Sequence, residues 1–211
     1  MFKNFFIRRI NSGKKYWKNR VKNYGEKAVI NLNHGLSDYS DITEHQKKEI
    51  FPILKQLLNG DEHFILDFGC GPGRFTSDLA KIIKGLAIGV DIIPELLKMA
   101  PKSESVVYKL MKEGKIPLKD KSVDIVWICL VLGGIKKKLL QKTVREIERI
   151  SKDNSLIFLV ENTSLKPNSS YWFFRTYDEY KKLFPSFKID YLHEYYDFDE
   201  RISIMGGRKI D

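Results

Sequence analysis

The chain reads as an α/β protein with a doubly wound, mostly parallel sheet and a helical segment ahead of it. Three observations point there. Apolar runs of strand length recur at residues 64–68, 86–90 and 124–130, and the last is almost unbroken, as in a strand covered on both faces. Segments with helical apolar spacing lie between and after them, at residues 75–83 and 136–150. The first run also turns into its helix through three glycines, Gly69, Gly71 and Gly73, with Asp67 just before them and Asp91 ending the second run.

Residues 1–59 are expected to form the helical cap and residues 60–211 the sheet domain. The first 25 residues carry eight basic side chains and no acid, interleaved with Phe2, Phe5, Phe6, Tyr16 and Trp17. Such a segment suits a helix whose apolar side covers the domain. It would also suit an anionic membrane surface or a phosphate backbone. Thr43 and Gln46 have capping-box spacing and predict a helix to about residue 58, with Pro52 kinking it. After the glycines, residues 94–100 form a short helix and 106–108 a third strand. Asp153-Asn154 turns into a strand at 156–160. Thr176 and Glu179 cap a helix over 177–184, and residues 187–196 and 201–208 form a closing hairpin. That makes seven strands.

The glycine spacing decides among ligand-binding corners. The dinucleotide fingerprint needs a third glycine where this chain has Arg74, and no Gly-Lys-Ser/Thr follows for a phosphate loop. A strand entering a helix through glycines still lets a ligand approach bare main chain, with exposed N–H groups and no Cβ in the way. Leu66-Asp67-Phe68-Gly69-Cys70-Gly71-Pro72-Gly73 resembles motif I of the class I S-adenosylmethionine-dependent methyltransferases, and Gly89-Val90-Asp91-Ile92 resembles their motif II. The resemblance covers about residues 60–210 and implies S-adenosyl-L-methionine as cofactor. It implies that Asp67, Phe68, Gly69, Cys70, Gly71 and Gly73 pass the methionine part, that Asp91 holds the ribose hydroxyls, and that Ile92 flanks the adenine. The segment before the motif, with Tyr24, looks like the family's lid.

Residues 111–124 resemble the family's next segment, but Lys112 replaces the acid expected at the adenine, leaving Glu113 as a substitute. Cofactor and acceptor should meet near Cys129 to Gly134. Base and glutamine enzymes of the family resemble one another in an Asn/Asp-Pro-Pro-Tyr sequence there, which this chain lacks. Cys129 is expected to be a buried structural thiol beside the cofactor. Glu161, at the end of the fifth strand, is the candidate general base or hydroxyl ligand. His34, Tyr171 and Arg175 are the candidate acceptor contacts, and Phe-Arg-Thr at 174–176 looks like a segment of saccharide and other small-molecule methyltransferases.

The 211 residues suit one domain with a sizeable core, and no apolar run approaches membrane-span length. Two cysteines in strand contexts, with no secretory signal, point to a reducing, cytoplasmic setting and no disulfide framework. No metal is expected. The reading that results is methyl transfer to an oxygen of a small molecule or saccharide. Three others stand beside it: an RNA methyltransferase gripping phosphate with its basic N-terminus, a membrane-peripheral lipid or isoprenoid methyltransferase, and a non-catalytic partner that keeps the cofactor fold.

Overall fold

Alternation along the strands builds two apolar layers, one on each face of a seven-stranded sheet ordered β3-β2-β1-β4-β5-β7-β6. The computed structural model describes residues 2–35, 38–112 and 114–210, with side chains in the first helix described from residue 13 onward. The strands are β1 (Phe64–Phe68), β2 (Leu86–Asp91), β3 (Val106–Leu110), β4 (Val123–Cys129), β5 (Ser151–Asn162), β6 (Asp190–Asp197) and β7 (Glu200–Arg208). The first five pair in parallel, and the β6–β7 hairpin joins β5 antiparallel. Strand order reverses between β1 and β4, the point where doubly wound sheets open a crevice at their carboxyl ends.

In β4, Val126 and Ile128 face α5 (Lys137–Ile150) and α6 (Tyr177–Leu183), meeting Leu140, Ile147, Tyr180 and Phe184. Ile125 and Trp127 face the opposite layer, α2 (Tyr39–Leu57) and α3 (Thr76–Ile83), meeting Ile50, Leu54 and Leu79. Trp127 stacks on Phe158 at 5.1 Å between ring centroids and takes the edges of Phe51 and Phe75. Helix α2 is thus a layer of the main core. The remaining short helix, α4 (Pro94–Leu97), follows β2.

Ahead of α2, α1 (Phe2–Tyr24) runs into two 3-10 turns, Gly25–Val29 and Leu32–His34. Val21 and Ala28 bury against Ile93 and Leu96, with Trp17, Val29 and Ile92 packed beside them. Arg20 fastens this cap to itself: its guanidinium donates to the carbonyls of Ala28 (2.6 Å) and Ile30 (2.8 Å) and to the Tyr16 hydroxyl (3.1 Å).

Several boundaries differ from the sequence expectation. Helix α2 begins four residues before Thr43, because Asp38 caps it by accepting from the Ser40 N–H at 2.7 Å. Thr43 then lies inside the helix and donates to the Tyr39 carbonyl. Strand β5 already starts at Ser151, and Asn154 sits within it at φ 58° beside a register shift against β4. The expected turn is a bulge. The capping box of α6 forms as its sequence predicts.

Candidate functional site

The corner after β1 holds its shape through backbone conformations that only glycine adopts without strain. Gly69, Gly71 and Gly73 have φ of 74°, 55° and 79°. A Cβ on Gly69 would stand 2.6 Å from Val131 Cγ2, and one on Gly71 would stand 3.1 Å from Val29 Cγ1. The main chain is therefore approached closely from β4's end and from the cap. The N–H groups are not bare, contrary to expectation. Gly69 and Cys70 both donate to the Val90 carbonyl, Gly73 to the Cys70 carbonyl, and Gly71 to Asp91 Oδ2 at 3.0 Å. The glycines supply closeness rather than a cradle of free donors.

Two buried acids flank this corner. Asp67 is 3% exposed and accepts from the Thr76 hydroxyl at 2.6 Å. Burial pushes its carboxyl up to about 7, opposed by the Thr76 hydrogen bond and reinforced by the charge of Asp91. Asp91 accepts from the Ile93 N–H at 2.8 Å as well as from Gly71, and burial again raises it, against those hydrogen bonds. Each Asp91 oxygen thus makes one bond of known partner and keeps acceptor capacity for a hydroxyl. The Cys70 thiol lies under β2, and burial pushes it up. The Cys129 thiol is pushed up to about 12 for the same reason, which suits a packing role.

Glu161 is not available as a base. It is fully buried and accepts from the N–H groups of Val131 (2.9 Å), Leu132 (2.7 Å) and Gly133 (3.3 Å), with the Tyr180 hydroxyl also donating. Burial raises it to about 7 against those bonds. It anchors the 3-10 turn Leu132–Gly134 that follows β4, next to Leu130, whose φ of 56° is left-handed in a residue with a Cβ. This anchored turn carries Val131 over Gly69.

Arg175 is likewise committed to main chain, donating to the carbonyls of Leu132 (2.9 Å), Phe173 (3.1 Å) and Ile135 (3.1 Å). It ties the loop before α6 to the same turn. Tyr171 stacks on Tyr16 of α1 at 4.2 Å, and Trp172 lies against Gly133. Cap and loop therefore meet above the end of β4. Tyr24 is 49% exposed at the end of α1, and it is Val29 that lies on the glycine corner. Glu113 lies outside the described residues. Ile92 packs between the cap and the main core.

His34 is brought where no sequence signal placed it. Its Nε2 is 2.8 Å from Asp197 Oδ1, and its ring lies 4.7 Å from that of Phe198 in the β6–β7 turn. Arg74, next after Gly73, reaches back to the hydroxyl of Thr43 at 3.2 Å and to the side-chain oxygen of Gln46, fastening α2 to the corner. Sequence reasoning missed Val29, Val131, Thr76, Arg74 and Asp197. Only Thr76, at the start of the helix that follows the glycines, carried a local signal.

A family model described as a methyltransferase domain matches residues 66–159, which run from β1 through most of β5. This match, with the solved structures that share the fold, supports a class I S-adenosylmethionine-dependent methyltransferase domain. An uncharacterised protein of Methanocaldococcus jannaschii is 32% identical over 111 residues, 52% of this chain and 41% of that protein. Phosphoethanolamine N-methyltransferase 1 of wheat, Triticum aestivum, is 26% identical over 156 residues, 71% of this chain and 30% of the wheat protein. The chain spans less than half the length of these curated relatives. Among solved structures, phosphoethanolamine N-methyltransferase 1 of Haemonchus contortus, with phosphoethanolamine and S-adenosylhomocysteine, superposes with a TM-score of 0.71. It is 17% identical and covers 96% of this chain and 49% of its own. A methyltransferase of Methanosarcina mazei gives 0.63 at 19% identity, covering 76% of this chain and 98% of its own.

The cofactor of such a domain is S-adenosylmethionine, and the residues present fit it. The methyltransferase corner sets the tightly packed glycine turn against a buried carboxylate, Asp91, with spare acceptor positions at the end of β2. The apolar Ile92 lies beside that carboxylate. Among the described residues, no group of three or more His, Cys, Asp or Glu side chains could hold a metal, and no helix is long and apolar enough to cross a membrane.

Proposed function

We propose that this chain catalyses methyl transfer from S-adenosylmethionine to a small-molecule acceptor at the carboxyl end of the sheet. The observation that carries the reading is the glycine corner tied through the Gly71 N–H to Asp91. Asp91 would take the ribose hydroxyls, Asp67 would face the amino end of the methionine part, and Ile92 would flank the adenine. When bound, the sulfonium supplies an already activated methyl group. The protein's share is to hold the acceptor in line with it and to exclude water. The anchored turn after β4, the aromatic contact of α1 with residues 171–172, and Val29 on the corner support that enclosing role.

The acceptor atom is a finer matter. The sequence favoured an oxygen, from the missing Asn/Asp-Pro-Pro-Tyr and from Arg175. The three main-chain bonds of Arg175 remove the second support, so the reading is kept at a small-molecule nucleophile, oxygen or nitrogen. The two phosphoethanolamine N-methyltransferases among the relatives add weight to nitrogen. No described contact favours RNA or a membrane. Within the described part of the basic segment, Arg20 holds the cap together and Lys18 pairs with Glu95 at 3.3 Å.

Calorimetric titration of S-adenosylmethionine tests the proposal. We expect binding that Asp91→Ala weakens by about 1.5–3 kcal/mol, the loss of a charged hydrogen-bond acceptor. Absence of binding to the wild type at millimolar cofactor would refute it.

A further inference from the structure

We propose that the cleft between the start of α2 and the β6–β7 turn is the acceptor subsite, and that it takes a small organic ammonium group. This deepens the methyl-transfer reading and rests on it for the word acceptor. Ammonium binding by itself does not.

The cleft encloses about 410 Å³. In a chain with a net charge of +10, its lining among the described residues holds Asp38, Asp41 and Asp197 and no lysine or arginine. Asp38 is partly committed, since it caps α2. Asp197 is 8% exposed, shares its Oδ1 with His34 Nε2 at 2.8 Å, and is flanked by the exposed Phe198. Carboxylates with an aromatic face beside them attract a compact cation by charge and by the ring quadrupole.

A second observation stands apart from the acids. Tyr195 lines the same cleft and is 7% exposed, yet its hydroxyl has no hydrogen-bond partner among the described residues. A buried hydroxyl without a partner is costly and uncommon in a native fold, and a polar ligand atom would satisfy it.

The cleft adjoins the methyl-transfer end of the sheet. Tyr195 packs in the same core layer as Cys129 and Leu130 at the end of β4, and its hydroxyl feels the charge of Arg74 and Asp197. Gln46, on the cleft wall, accepts from Arg74, the residue that follows Gly73. The charged and titratable groups around it are Asp38 just ahead of α2, Asp41, His45 and Glu49 from α2, His34 and Lys27 from the cap, and Asp197 from β6, with Arg74 behind Gln46.

The test uses n-propylammonium and its neutral counterpart 1-propanol, titrated into the full chain at pH 7 and followed by amide chemical shifts. We expect propylammonium to bind at least tenfold more tightly, with shifts centred on residues 34 and 195–198. Tyr195→Phe should cut its affinity at least fivefold without lowering the denaturation midpoint, because the lost hydroxyl had no partner. Asp197→Asn should do the same to affinity. If that variant fails to fold, Tyr195→Phe decides. Equal binding of the two probes, shifts centred elsewhere, or an affinity unmoved by Tyr195→Phe would overturn the assignment. Cofactor titration on the same samples separates the two proposals. Ammonium binding without cofactor binding would sink only methyl transfer, and the reverse would sink only the cleft.

Discussion

Substitution of Glu161 separates a carboxylate that positions main chain from one that moves a proton. Alanine would leave the N–H groups of Val131, Leu132 and Gly133 without their acceptor in a fully buried place. At roughly 1–2 kcal/mol for each orphaned donor, the loss comes to about 3–6 kcal/mol. That is a large part of the roughly 5–15 kcal/mol that holds an ordinary domain folded. Glutamine is milder. Its oxygen can keep Val131 and Leu132, which both donate to Oε1, and its amide can donate to the Tyr180 hydroxyl. Only the Gly133 N–H then faces another donor, at about 1–3 kcal/mol. Neither variant carries a charge to bury. The wild-type carboxyl is raised from 4.5 to about 7, which at pH 8 amounts to roughly 3 kcal/mol of destabilisation that both variants regain. Glu161→Gln should therefore lie within about 2 kcal/mol of wild type at pH 8, and Glu161→Ala about 2–3 kcal/mol below the glutamine variant. Urea denaturation measures both. With an acceptor that the wild type methylates, Glu161→Gln should keep turnover within about tenfold. An alanine variant within about 1 kcal/mol of the glutamine variant would refute the positioning role. So would a glutamine variant that folds and binds cofactor normally but loses turnover a thousandfold.

Two more expectations follow from the same geometry. Asp67 and Glu161 are both raised to about 7 in the fold from 3.8 and 4.5. The folded state then binds protons that the unfolded state has released, so these groups make stability fall as pH rises from about 5 to 8, by on the order of 2–3 kcal/mol each. Denaturation midpoints at the two ends of that window check the sign, and Glu161→Gln should remove about half of the slope. A slope of opposite sign would contradict the burial of these carboxylates. Gly69→Ala should cost roughly 1–2 kcal/mol for its left-handed backbone. It should cost about 1–3 kcal/mol more for driving a Cβ against Val131, whose N–H is held by Glu161. A cost under about 0.5 kcal/mol by urea denaturation would show that the corner relaxes freely.

The strands, their parallel order and the cofactor corner are set by local features of the chain. Apolar runs near five residues long cannot be satisfied except as buried strands. Three glycines after Asp67 leave few backbone paths into a helix, and Asp91 ends the next strand at a fixed distance in sequence. Composition and spacing alone carry that much, because strand period, glycine conformation and helix caps act over a handful of residues. The roles of the site's other polar residues were settled only by packing across the fold. Glu161 looked like a free acid at a strand end, and its commitment to the turn after β4 depends on a parallel neighbour 28–30 residues away in sequence. Arg175 looked like a substrate contact until two carbonyls at that turn and one of its own loop surrounded it. Val29 reaches Gly71 only because the cap folds back over the crevice, and His34 meets Asp197 across 163 residues. Side chains that could serve several partners take whichever the tertiary structure brings within about 3 Å, and nothing near them in the sequence names that partner.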